Sequence, residues 1–144
     1  MVSEASAAAG PAPDATEARA REITRLTREL DAMLEPHTSA VCPACAEVCC
    51  RNRFCRHDAY DLAYLRLTSA PEPVYREDVT DTDPCQFLGE QGCTIGRDLR
   101  PFRCNWFFCS PLLEQMSCAL PAPAYRQVVQ LLADISRLRR SLLS

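Results

Sequence analysis

Cys42-Pro43-Ala44-Cys45-Ala46-Glu47-Val48-Cys49-Cys50 places four cysteines in nine residues, and Cys55 follows just behind. A C-x2-C pair sets two sulfurs at the tip of a tight turn, where one soft cation can hold both at roughly 2.3 Å. The vicinal pair Cys49-Cys50 differs, because adjacent side chains diverge and suit two centres or a bridged cluster better than one ion. The stretch therefore predicts a folding nucleus that a metal completes.

Working outward, the chain returns to cysteine at Pro84-Cys85-Gln86-Phe87-Leu88, at Gly92-Cys93-Thr94-Ile95 and at Arg100-Pro101-Phe102-Arg103-Cys104. Taken together, residues 42 to 108 resemble the YkgJ-type CxxCxxCC cysteine-cluster family, described as a zinc- or iron-chelating domain. The first motif is one residue longer here, and Ala46, Gly96 and Asn105 stand where the family has Gly, Tyr and Arg. The resemblance implies Cys42, Cys45, Cys49, Cys50, Cys85, Cys93 and Cys104 as metal ligands. Cys55 and Cys109 each follow one of these by an x4 spacing and join the candidate list; Cys118 shares no short spacing and is expected to be a spare thiol. His37, at a helix exit outside the motif, is a weak ligand candidate.

The flanks are periodic where the middle is not. Residues 1 to 13, rich in Ala, Ser and Pro, read as a disordered leader. Asp14 and Glu17 form a start signal, and Ile23, Leu26, Leu30 and Met33/Leu34 recur at helical spacing until Pro36, predicting an amphipathic helix over 14 to 36. Asp58 caps a short helix beginning at Ala59. The segment from Ser69 to Pro84, with three prolines and Glu77, Asp78, Asp81 and Asp83, reads as a solvated loop. Tyr125, Val128, Val129, Leu132, Ile135, Leu138 and Leu142 predict a second amphipathic helix within 121 to 144. The expected fold is mainly α: a small, metal-stapled, cysteine-rich domain over 42 to 118 with irregular loops, clasped by N- and C-terminal amphipathic helices.

Composition narrows the function classes. A net charge of −3 over 144 residues supplies no general attraction to nucleic acid or membrane. With no basic, apolar leader and no long apolar run, the cytoplasm is the expected compartment, where ten cysteines favour metal or thiol chemistry over disulfides. No phosphate loop, nucleophile elbow, HExxH or dinucleotide fingerprint is present, so no catalytic residue is assigned. The expected function is chelation of zinc or iron by clustered thiolates. One alternative is an iron-sulfur redox or electron-transfer protein. Another is an adaptor that binds a partner protein or nucleic acid through its helices or through an Arg-aromatic face built from Phe102, Trp106, Phe107 and Phe108 with Arg97, Arg100 and Arg103. Nucleic acid is the less favoured of those partners, and self-association through the terminal helices is the remaining use of the apolar stripes. Thiol redox work by Cys49-Cys50 or by Cys104 and Cys109 is a further reading.

Overall fold

The computed structural model describes residues 15–45 and 49–143; the expected leader and Asp14 lie outside them. The first helix, α1 (Ala15–Val41), buries Ala20, Ile23, Leu26, Thr27, Leu30, Leu34 and His37. Those positions recur three or four apart and so fall on one face. The helix continues through Pro36, where a stop was expected. Proline deprives the helix of one N–H donor and crowds the preceding turn. The final turns persist because they are held from outside the helix: Leu34 is fully buried and Glu35 is gripped by Arg97.

Chain order then gives α2 (Ala59–Leu67), the two-residue strands β1 (Leu88–Gly89) and β2 (Gly92–Cys93), α3 (Phe102–Trp106), α4 (Ser110–Ala119) and α5 (Ala122–Arg140). The sequence reading missed α4, treating 84 to 118 as aperiodic. The signal was there: Pro111 at the first turn, then Leu112 and Met116 four apart, both buried.

The core lies between α1 and α5. Ile23, Leu26, Leu30 and Leu34 of α1 meet Val128, Leu131 and Ile135 of α5, with Ala63 from α2, Leu112 and Met116 from α4, and Leu142 beyond α5 closing the cluster. Burial of apolar surface at about 25 cal/mol per Å² therefore drives this assembly. The apolar stripes proposed for self-association are mostly consumed here.

The cysteine-rich middle is joined by backbone bonds. Asn52 N–H donates to the Asp83 carbonyl at 2.8 Å, Arg53 N–H to Asp81 at 3.0 Å and Cys85 N–H to Cys50 at 3.0 Å, around an antiparallel bridge between Arg51 and Pro84. The β1–β2 hairpin turns at Glu90 and Gln91. Gly92 adopts φ 111°, a conformation open to glycine at little cost. The mainly α class agrees with the expectation, but the metal-stapled core does not. Among the described residues, no group of three or more His, Cys, Asp or Glu is arranged to hold an ion. Ladder bonds join the segments of the middle to one another, and the packing of Ala63, Leu112 and Met116 into the core ties them to the bundle.

Candidate interaction site and thiol-lined cavity

Two arginines brace the middle against the helices. Arg97 has only 2% of its side chain exposed; it donates from Nε to Asp31 and from Nη2 to Glu35, each at 2.9 Å. Asn105 Nδ2 donates to the Arg97 carbonyl at 3.2 Å and Oδ1 faces Arg97 Nη1. Desolvation opposes ionisation of Glu35, yet hydrogen bonds from Ser39 and Arg97 outweigh it and hold the carboxyl below its ordinary range. Arg97 thus leaves the Arg-aromatic face and becomes a buried clasp on α1.

Arg139, in the last turn of α5, reaches Asp58 at 2.8 Å and Asp61 at 2.7 Å. Its guanidinium lies 4.7 Å from the Phe102 ring centre, which removes Phe102 from the face as well. Asp58 and Asp61 form a reciprocal capping box on α2, and Asp61 also accepts from Phe102 N–H at 3.1 Å. His57 is fully engaged. Its backbone N–H donates to the Tyr75 hydroxyl at 2.8 Å, Nδ1 meets that hydroxyl at 2.6 Å, and Nε2 lies 2.8 Å from the Leu99 carbonyl. A carbonyl can only accept, so Nε2 carries the proton and Tyr75 donates to Nδ1. Neither buried histidine faces the cysteines as a ligand: His37 sits on the inner face of α1 and His57 is a brace.

The cysteines line a shared cavity of about 130 Å³. Cys42, Cys49, Cys50, Cys55, Cys85, Cys93, Cys104 and Cys109 contribute to its wall with Phe54, Phe87, Leu88, Ile95, Phe107, Phe108 and Leu112. Cys45 and Cys118 do not line it. The sulfurs are distributed around an apolar hollow, and among the described residues no three or more donors converge into a group that could hold an ion. Their electrostatics agree with that. Burial first, then the neighbouring Cys49 and Cys104, pushes the Cys50 thiol up to about 12. Cys104 is an exposed residue, but the protein packed around its thiol, reinforced by Cys93 and Cys85, also raises it to about 12. Burial likewise raises Cys42, Cys49, Cys55 and Cys85. Thiolate is the metal-binding and nucleophilic form, and this environment favours the neutral thiol. Zinc, iron and iron-sulfur cofactors, and the metal ion as a partner, are accordingly withdrawn, and Cys42, Cys45, Cys49, Cys50, Cys55, Cys85, Cys93, Cys104 and Cys109 are described as thiols.

Comparison of the chain with protein-family models, with curated proteins and with solved structures finds no match. The resemblance to the YkgJ-type family is corrected on that ground and on the missing metal-holding group.

Beside the cavity lies the strongest outward-facing feature. Arg103 and Trp106 sit at i and i+3 on one side of α3, and Phe107 follows as its C-cap residue. The Arg103 guanidinium is 4.2 Å from the centre of Phe54, 5.7 Å from Trp106 and 5.4 Å from Phe107. Arg53 adds a second cation 4.9 Å from Phe54. Trp106 is 45% exposed and Phe107 42%. Neither Arg53 nor Arg103 forms an ion pair with a described residue. Phe54 escaped the sequence reading because only the fold brings its loop to α3. Among the described residues, no helix is long and apolar enough to cross a membrane.

Proposed function

We propose that this protein is an adaptor that binds a partner protein through the face formed by Phe54, Arg103, Trp106 and Phe107. One observation carries the reading: two exposed aromatic rings converge on an arginine that has no carboxylate partner among the described residues. Trp and Arg dominate the energetics of protein interfaces because they combine large contact area with directed polar groups. The preferred partner segment carries a carboxylate, to pair with Arg103 or Arg53, next to an aliphatic side chain that enters the apolar hollow bounded by Phe107 and Ile95. Nucleic acid fits less well. The acidic stretch Glu77 to Asp83 borders the face, since Arg53 N–H donates to the Asp81 carbonyl, and a phosphate chain would meet repulsion there. The cytoplasm remains the proposed compartment; a chain with ten cysteines fits a reducing environment.

Trp106 is the chain's only tryptophan, so its emission reports on this face alone. Synthetic peptides in which Asp or Glu flanks Leu should shift that emission saturably, while versions with Lys replacing the acids should not. Arg103→Ala should weaken binding by about tenfold or more, the range expected for an interface hot spot. Equal responses to acidic and basic peptides, or affinity indifferent to Arg103→Ala, would defeat the proposal. Tighter binding of a single-stranded oligonucleotide than of any acidic peptide would transfer the face to nucleic acid.

A further inference from the structure

We propose that the thiol- and phenylalanine-lined cavity binds a small aryl carboxylate, with the ring in the hollow and the carboxylate on Arg100. Size sets the first limit. The cavity of about 130 Å³ is close to the engineered apolar cavity of about 150 Å³ that admits benzene, so a single six-membered ring comes near to filling it. Phe54, Phe87, Phe107 and Phe108 stand on its wall and offer the edges and faces that aromatic rings pack against. The thiols between them behave as small apolar groups. Burial also raises Cys50 and Cys104, so the sulfur-bearing wall carries little negative charge to repel an anion.

Charge sets the second limit. Among the described residues, the wall carries four arginines, Arg51, Arg97, Arg100 and Arg103, against one carboxylate, Glu35. Three of the four are engaged elsewhere. Arg97 closes on Asp31 and Glu35 at 2.9 Å each, which also neutralises the carboxylate. Arg51 Nη1 donates to the Thr82 carbonyl at 3.3 Å, and Arg103 belongs to the outward-facing aromatic face, 4.2 Å from the Phe54 ring centre. Arg100 differs. The following Pro101 disfavours helical backbone at this position, and Arg100 is extended at φ −80° and ψ 152°. Its Nε donates to the Ile95 carbonyl at 2.9 Å, which orients the guanidinium, and it forms no ion pair with a described residue. A half-buried, oriented cation on an apolar wall complements a ligand that joins one ring to one carboxylate, because a charge-assisted hydrogen bond is stronger where water is excluded. The proposal does not rest on the adaptor reading: the two sites share Phe54 and Phe107 but use different cations.

The test titrates the full chain, kept reduced, with phenylacetate and reads binding by ligand-observed NMR. Phenylacetate should bind saturably, while acetate, which lacks the ring, and phenethylamine, which replaces the carboxylate with a cation, should each bind at least about tenfold more weakly. These comparisons use the wild-type protein, so they stand whether or not any variant folds. Arg100→Gln, checked for folding by circular dichroism, should weaken phenylacetate by about tenfold or more, and Arg103→Ala should leave its affinity unchanged. That last variant separates the two readings, since it is expected to cripple acidic-peptide binding and spare the small ligand. Equal affinity for phenylacetate and phenethylamine would overturn the proposal, as would the absence of saturable binding at millimolar phenylacetate. A loss in Arg103→Ala with none in Arg100→Gln would overturn it as well, by placing the carboxylate on the outer face.

Discussion

Arg97 shows how far a residue's role can depart from its neighbours in sequence. It lies among the arginines and aromatics of 97 to 108, yet its side chain is buried in a fork that grips Asp31 and Glu35. Those carboxylates are close to half exposed, so removing the arginine strands less charge than breaking a fully buried pair, which costs about 3–5 kcal/mol. The Arg97→Ala variant should lose about 2 kcal/mol in urea denaturation, including the loss of the guanidinium partner of Asn105 Oδ1. Arg97→Lys should recover less than half of that loss, since an ammonium cannot span both carboxylates with a planar fork. A full recovery by lysine would show that charge alone, and not the two-pronged geometry, matters here. Arg103, Trp106 and Phe107, by contrast, could be read from the sequence as an Arg-aromatic grouping, though not as a helical face.

At the scale of elements, α1 and α2 test two opposite local rules. Pro36 sits inside α1, where it cannot donate to the Ala32 carbonyl and loosens the helix. Pro36→Ala should therefore raise stability by about 1–2 kcal/mol, less than the roughly 3 kcal/mol separating the residues in isolated helices. A loss of stability, measured by the same denaturation, would mean that the last turn needs the proline's distortion to seat Glu35 against Arg97. The α2 cap is held across the fold. Burial disfavours the Asp58 carboxylate, but the Asp61 backbone N–H and Arg139 overcome that penalty and keep its carboxyl below the ordinary value. A lowered folded-state value means that the contribution is present above the unfolded carboxyl range and is lost as pH falls through the folded one. Acid titration of wild type should show this loss below about pH 4, and Asp58→Asn should flatten that part of the stability profile. An unchanged acid limb in Asp58→Asn would show that the cap contributes nothing through its charge.

For the whole molecule, the decisive contrast is between a core and a staple. Apolar residues on α1, α4 and α5 make one continuous cluster, and backbone bonds from 50–53 to 81–85 attach the cysteine-bearing segments to each other. Treatment with a strong chelator under reducing conditions should leave amide-exchange protection at Asn52, Arg53 and Cys85 intact, because those amides are paired within the chain. Collapse of that protection with the helices still folded would return the staple to the explanation.

The amphipathic ends, the Asp58 cap, the turn glycines and the solvated proline-rich loop were all determined locally, by side-chain period, capping chemistry and backbone freedom, and so could be read without the fold. Even α4 carried its own signal in Pro111, Leu112 and Met116, obscured by the cysteines around it. What no local rule could supply was the meeting of distant residues. Cysteine spacing suggested sulfurs converging on an ion, but convergence depends on the directions that the folded backbone imposes, and here eight thiols spread around a hollow instead. Phe54 under Arg103 and Arg97 inside the α1 clasp likewise exist only once helix packing brings their segments together, because each pairing is set by the geometry of the assembled bundle.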